Sequence, residues 1–124
     1  MPRVVHFEVF VDDPARASKF YKDIFGWKFE KYAPMDYWMV TTGDKKSPGI
    51  NGGFARRDSK ERTTVNTIDV KDIDATIKRV KAKGGKLVGK VNEIPNVGRM
   101  AYCRDTEGNQ FGLIEMAQKP RSRR

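Results

Sequence analysis

The sequence predicts an α+β domain made of two β-α-β-β-β repeats, and three observations carry that prediction. Two runs read as capped helices, each preceded by one strand-like run and followed by three. Turn-forming Gly, Pro, Asp and Asn residues stand at the junctions. One offset of 59 residues lays the first half on the second, so Val9 falls on Ile68, Asp13 on Asp72, Gly26 on Gly85, Gly53 on Gly112 and Phe54 on Leu113. Each unit is too small to bury its own helix and sheet face, so the two are expected to share one interior.

The first strand is read at Val4–Val11, with Phe7, Val9 and Val11 on an apolar face and His6, Glu8 and Phe10 on a mixed one, because side chains alternate along a strand. Asp13 caps the helix that follows and Pro14 suits its first position, where a missing N–H costs nothing. Ala17, Phe20, Tyr21 and Ile24 recur at helical spacing, and Gly26 ends the helix. Strands are then read at Trp27–Tyr32, Tyr37–Thr42 and Ile50–Arg56.

Arg57–Arg62 holds no apolar residue and reads as a linker. Beyond it, Thr64–Val70 is a strand and Asp72 a helix cap. Ile73, Ile77 and Val80 form an apolar stripe, and Gly84-Gly85 ends the second helix. The last strands are read at Lys86–Val91, Arg99–Arg104 and Gln110–Glu115. The expected domain is residues 1–118, with repeats at about 4–56 and 64–116 and a basic tail at 119–124.

Composition narrows the function classes. No window approaches the ~18 consecutive apolar residues of a membrane span, and the N-terminus lacks the apolar stretch of a secretory signal, so a soluble cytoplasmic protein without membrane association is expected. Cys103 is the only cysteine, which rules out an internal disulfide and a thiolate zinc cluster. The net charge is +9, and four of those charges (Lys119, Arg121, Arg123, Arg124) sit in the tail. The other bases are dispersed, many on the second helix (Lys78, Arg79, Lys81, Lys83), where a solvated face is the plainer explanation. Specific nucleic-acid binding is therefore disfavoured, and a weak, salt-sensitive nucleic-acid accessory role is the third-ranked reading.

The run from Asp13 to Trp27, with Asp, then Phe20-Tyr21, then Phe25-Gly26-Trp27, resembles the first helix of the vicinal-oxygen-chelate superfamily, the glyoxalase/bleomycin-resistance/dioxygenase type. His6-Phe7-Glu8, Val70-Lys71-Asp72-Ile73-Asp74 and Asp105-Thr106-Glu107-Gly108-Asn109 fit the same pattern, with Thr106 standing where the family usually has proline. The resemblance runs from Val4 to Glu115. It implies a curved eight-stranded mixed sheet around a cleft, with the two helices outside. It also implies, in metal-dependent members, four ligands from the first and fourth strands of the two repeats, around an ion that polarises two neighbouring substrate oxygens.

Carried onto this chain, those ligand positions fall at His6, Gly53, Val65 and Gly112. Three of them have no donor side chain, and one imidazole does not hold a catalytic ion, since such sites generally use about three protein ligands. No metal and no cofactor is expected. A displaced ligand set of His6, Glu8 and Asp69 is disfavoured, because a shift of two residues along a strand moves a donor by about 7 Å. Glu115 is set aside by parity: it lies beside Phe111 and Leu113, on the face opposite Gly112.

The expected cleft residues are His6, Glu8, Phe10, Asn51, Gly53, Thr67, Asp69, Gln110 and Gly112. Glycine at positions 53 and 112 either leaves room for a ligand or allows tight packing, and the sequence leaves both readings open. His6, beside Glu8, is the candidate for acid-base work; a plain hydrogen-bonded histidine is preferred, because no nucleophile, base and orienting group can be named together. Tyr37, Trp38, Met39, Met100 and Tyr102 form an aromatic wall or are core. The preferred function is a metal-free binder of a small molecule, acting as a homodimer. The alternative is a glyoxalase-type lyase, isomerase or dioxygenase that uses an unconventional metal site or His6 and Glu8.

Overall fold

The computed structural model describes residues 1–59 and 62–117. Residue 118, the tail at 119–124 and two linker positions, 60 and 61, lie outside the described residues. Eight strands and two helices follow the predicted order: β1 (Val4–Val11), α1 (Pro14–Phe25), β2 (Lys28–Lys31), β3 (Tyr37–Thr41), β4 (Gly52–Arg56), β5 (Thr64–Asp69), α2 (Ile73–Ala82), β6 (Lys86–Ile94), β7 (Gly98–Arg104) and β8 (Gln110–Met116). The fold is α+β with two β-α-β-β-β repeats. Contacts group the chain into a first unit, Val5–Asn66, and a second, which joins Met1–Val4 to the chain from Thr67 onward.

In the first unit the strands run β2-β3-β4-β1. β1 is parallel to β4, with Glu8 opposite Gly53, and the other two pairs are antiparallel. Asp13 is the cap the sequence predicts: its Oδ1 accepts from the Arg16 N–H at 3.1 Å. Gly26 takes the left-handed conformation (φ 74°) and its N–H donates to Lys22 O at 2.9 Å, closing the last turn. The helix lays Ala17 and Tyr21 on a core of Val11, Val40 and Phe54, joined by Phe7, Val9, Trp27, Phe29 and Trp38. The Tyr21 and Trp27 rings stack at 5.1 Å and Phe29 meets Phe54 edge-on at 4.8 Å, both favoured aromatic geometries.

The second unit repeats the plan, with β5 parallel to β8 and the order β5-β8-β7-β6. Its core is Val70, Ile73, Ile77, Ala101, Cys103 and Leu113. Asp72 caps α2 by accepting from the Ala75 N–H at 3.0 Å, and Gly84 (φ 100°) follows its last turn. Glu115 supplies a second acceptor: its Oε1 takes the Ile73 N–H at 2.9 Å. The sequence reading gave Glu115 the helix-side face, as found, and set it aside as a metal ligand. It is instead tied to the helix start, where a free N–H and the helix dipole both favour a carboxylate.

Three expectations need correction. β4 begins at Gly52 and not Ile50, and β6 continues to Ile94 through an irregularity between Val88 and Asn92, where Gly89 has φ 76°. The offset of 59 is also not constant. Met39 lies opposite Gly53 and Tyr102 opposite Gly112, so the third strands are related by 63 residues while the fourth strands keep 59. The longer β6–β7 hairpin introduces the difference and the shorter β7–β8 connection removes it again.

Candidate functional site

β1 and β3 of the first unit bring together a pair that the sequence reading did not join. His6 Nε2 and the Tyr37 hydroxyl share a hydrogen bond of 2.8 Å in a partly buried setting. Burial pulls the His6 pKa below its ordinary value, and the neighbouring Glu8 carboxylate opposes that shift. Desolvation is the larger effect, so the ring is neutral near pH 7. With the ring proton on Nδ1, Nε2 accepts from the phenol.

Gly53 explains why Tyr37 can stand there. A Cβ built on Gly53 would run into the Tyr37 hydroxyl and ring carbons. Of the two readings left open for Gly53, tight packing is therefore what the first unit displays: the aromatic ring closes over the glycine backbone. Tyr37 lies opposite Ala55 and Met39 opposite Gly53 in the β3–β4 register, so both share the Gly53 face. Trp38 points the other way and packs with the core, which removes it from the expected aromatic wall.

The remaining first-unit candidates divide. Glu8 is 6% exposed and Phe10 4% exposed, and the Arg62 guanidinium lies 5.2 Å from the Phe10 ring centre. Asn51 does not join them. It is exposed, and its Oδ1 accepts from the Thr42 N–H at 2.8 Å and the Thr42 hydroxyl at 3.2 Å, which fastens the β3–β4 connection. A groove of about 410 Å³, lined in part by Val11, Arg16, Phe20 and Arg57, includes Phe10 but none of the other candidates.

In the second unit, Thr67 lies opposite Gly112, and a Gly112 Cβ would stand 2.9 Å from Thr67 Oγ1. Thr67 is 2% exposed, and Asp69 and Gln110 are half-buried. Ala101, Cys103 and Leu113 pack toward α2, so Thr67, Gln110 and Gly112 share the opposite face with Tyr102.

The donor set does not suit the metal of a glyoxalase-type centre. Val65 is apolar and 1% exposed, Gly53 is covered by Tyr37, and the His6 Nε2 is already engaged. Among the described residues no three His, Cys, Asp or Glu side chains come together in a way that could hold an ion.

Comparison with known proteins places the chain. The family model described as the Glyoxalase/Bleomycin resistance protein/Dioxygenase superfamily matches residues 3–113. The chain belongs to that superfamily. A glyoxylase-like domain-containing protein of Didymella fabae is 32% identical over 112 residues, covering 86% of this chain and 88% of the relative. This superfamily member also shares its fold with solved structures. One is the hypothetical protein BH1468 from Bacillus halodurans (TM-score 0.67, 14% identity, 98% of this chain and 99% of that one). Another is methylmalonyl-CoA epimerase from Mycobacterium tuberculosis (TM-score 0.60, 20% identity, 92% and 87%). At these identities the likeness concerns the fold alone. The resemblance read from the helix motif is thus confirmed for family and fold.

The sequence offers Tyr37 only as an aromatic-wall or core residue, and its bond to His6 is the feature that reading missed. The available signal was a tyrosine on the strand next to a double glycine, a pattern in which an aromatic side chain covers glycine backbone on the adjacent strand.

Proposed function

We propose that this superfamily member is a metal-independent binder of a small molecule, with His6 and Tyr37 as the polar anchor of its first unit. One observation carries the reading: the Tyr37 hydroxyl is bonded to the sole donor among the inherited ligand positions and lies over a second such position, Gly53. A neutral imidazole and a phenol together offer one donor and one acceptor, which suits a ligand hydroxyl or carbonyl group. A cytoplasmic homodimer accords with the superfamily assignment, and among the described residues no helix is long and apolar enough to cross a membrane.

The test is elemental analysis of protein purified without chelators, followed by calorimetric screening of small carbonyl and hydroxy compounds. Saturable binding without stoichiometric metal, weakened in Tyr37→Phe, supports the reading. A stoichiometric divalent ion whose removal abolishes binding overturns it.

A second reading has an observation of its own. A histidine kept neutral by burial, hydrogen-bonded to a phenol and beside a carboxylate, is equipped to accept a proton, which favours a His6-assisted lyase or isomerase. Turnover lost in His6→Ala but unaffected by chelator would select it over simple binding.

A further inference from the structure

We propose that the second unit carries a carboxylate-binding notch at Gly112, formed by the Thr67 hydroxyl and the Gln110 side-chain amide. The inference rests on the small-molecule reading above and adds the chemistry of one end of the ligand.

The notch follows from the register. Gly112 on β8 stands between Thr67 on β5 and Tyr102 on β7, and Gln110 lies two residues earlier on the same strand face. Across that row Gly112 contributes no side chain, and the Thr67 hydroxyl leans over it, 2.9 Å from where a Cβ would stand. The equivalent glycine of the first unit, Gly53, is covered by Tyr37. With third strands offset by 63, the residue at the corresponding place is Met100, which lies opposite Ile114 and brings no hydroxyl.

Two polar groups beside Gly112 are left over. Thr67 Oγ1 and Gln110 Nε2 are buried and have no hydrogen-bond partner among the described residues. Buried polar atoms are paired in the great majority of cases, and this sheet keeps two unpaired ones on one face of the neighbouring strands β5 and β8. Rule-breaking of this kind is expected at functional positions and not in a plain structural sheet. An amide N–H and a hydroxyl both donate, so the complementary group is an oxygen acceptor. Arg104 lies directly opposite Gln110 on the same face. Its Nη1 donates to Gly108 O at 2.9 Å, and its positive charge selects a carboxylate over a neutral carbonyl. Asp69, opposite Ile114, lies on the other side of Gly112 from Arg104, so the acid group sits toward Gln110.

The probe is propionate, compared with propionamide and propylamine, titrated into the full chain labelled with nitrogen-15. The Gln110 side-chain amide signals, assigned by their disappearance in Gln110→Glu, report the notch directly. The His6 ring signals report the first-unit anchor separately. Propionate is expected to shift the Gln110 amide saturably, propionamide more weakly and propylamine not at all. Thr67→Val, which keeps the shape and removes the hydroxyl, is expected to weaken propionate binding about tenfold. The variant should melt no earlier than the parent, because the lost hydroxyl had no protein partner. The inference is overturned if propionate leaves the Gln110 amide unmoved, if propylamine moves it equally, or if Thr67→Val loses stability while binding is unchanged. Compounds that shift His6 and never Gln110 would sink the notch and leave the small-molecule reading standing; compounds that shift neither would remove both.

Discussion

The Tyr37 hydroxyl closes over the backbone of Gly53 and bonds to His6 from the same position. Two features of the chain thereby become one: the missing side chain at position 53 makes the space, and the phenol that uses it engages the imidazole. Replacing Gly53 therefore disturbs the His6 anchor even though the two residues are on different strands.

Gly53→Ala should cost about 1–3 kcal/mol, because a methyl group there must displace an aromatic ring from a packed sheet face. The cost should fall sharply in the Tyr37→Ala background, since the obstructing ring is gone. A double-mutant cycle by urea denaturation measures this, with a coupling of roughly 0.5–3 kcal/mol expected for residues in direct contact. Additive effects would mean that the ring does not occupy that space in solution.

His6 sets a pH dependence whose sign can be worked out. Its pKa in the folded chain is lowered from 6.5. On acidification the unfolded chain therefore takes up the proton first, and stability falls as pH drops from just above 6.5 toward the lower folded value, then levels off. His6→Gln should flatten stability across that window. Tyr37→Phe should raise the His6 pKa, because the phenol no longer donates to the neutral ring. Urea midpoints measured against pH, with the His6 signal followed by NMR, would check both; an unchanged slope in His6→Gln would assign the dependence to another group. Asp44, Asp74 and Asp105 lie outside this window, since hydrogen bonds hold their carboxyls below the ordinary 3.8 and their contribution is lost only at more acid pH.

Divalent cations should leave the melting temperature unchanged. A native site stabilises by RT ln(1 + [L]/Kd), which reaches about 2.7 kcal/mol at a hundredfold excess over Kd. A saturable rise with Zn²⁺ or Mn²⁺, lost in His6→Ala, would show that donors from elsewhere than positions 53, 65 and 112 complete a site with His6.

Much of this architecture was readable because its signals are local. Asp13 and Asp72 cap their helices as the spacing requires, and the alternation of Phe7, Val9 and Val11 with His6, Glu8 and Phe10 gave the correct core face. What the sequence did not disclose depends on contacts between strands. Tyr37 meets His6 across 31 residues, and Asn51 turns out to serve the Thr42 connection. The 63-residue relation between third strands hid behind a hairpin of different length, so no fixed offset could have paired Tyr37 with its counterpart.

Glu115 offers a test of the fold independent of the site. Its carboxylate accepts the Ile73 N–H while Asp72 accepts from Ala75, so two of the four free donors at the start of α2 are met by separate side chains. Glu115→Ala should lower stability by about 1 kcal/mol, comparable to loss of a helix cap. Glu115→Gln keeps an acceptor and loses only the attraction to the helix dipole, so it should cost less, roughly 0.3–1 kcal/mol and diminishing with added salt. Asp72→Ala combined with Glu115→Ala should then cost more than either alone and raise hydrogen exchange first at Ile73 and Ala75. Equal stability for Glu115→Ala and the parent, by denaturant titration at low salt, would show that β8 does not hold this helix start.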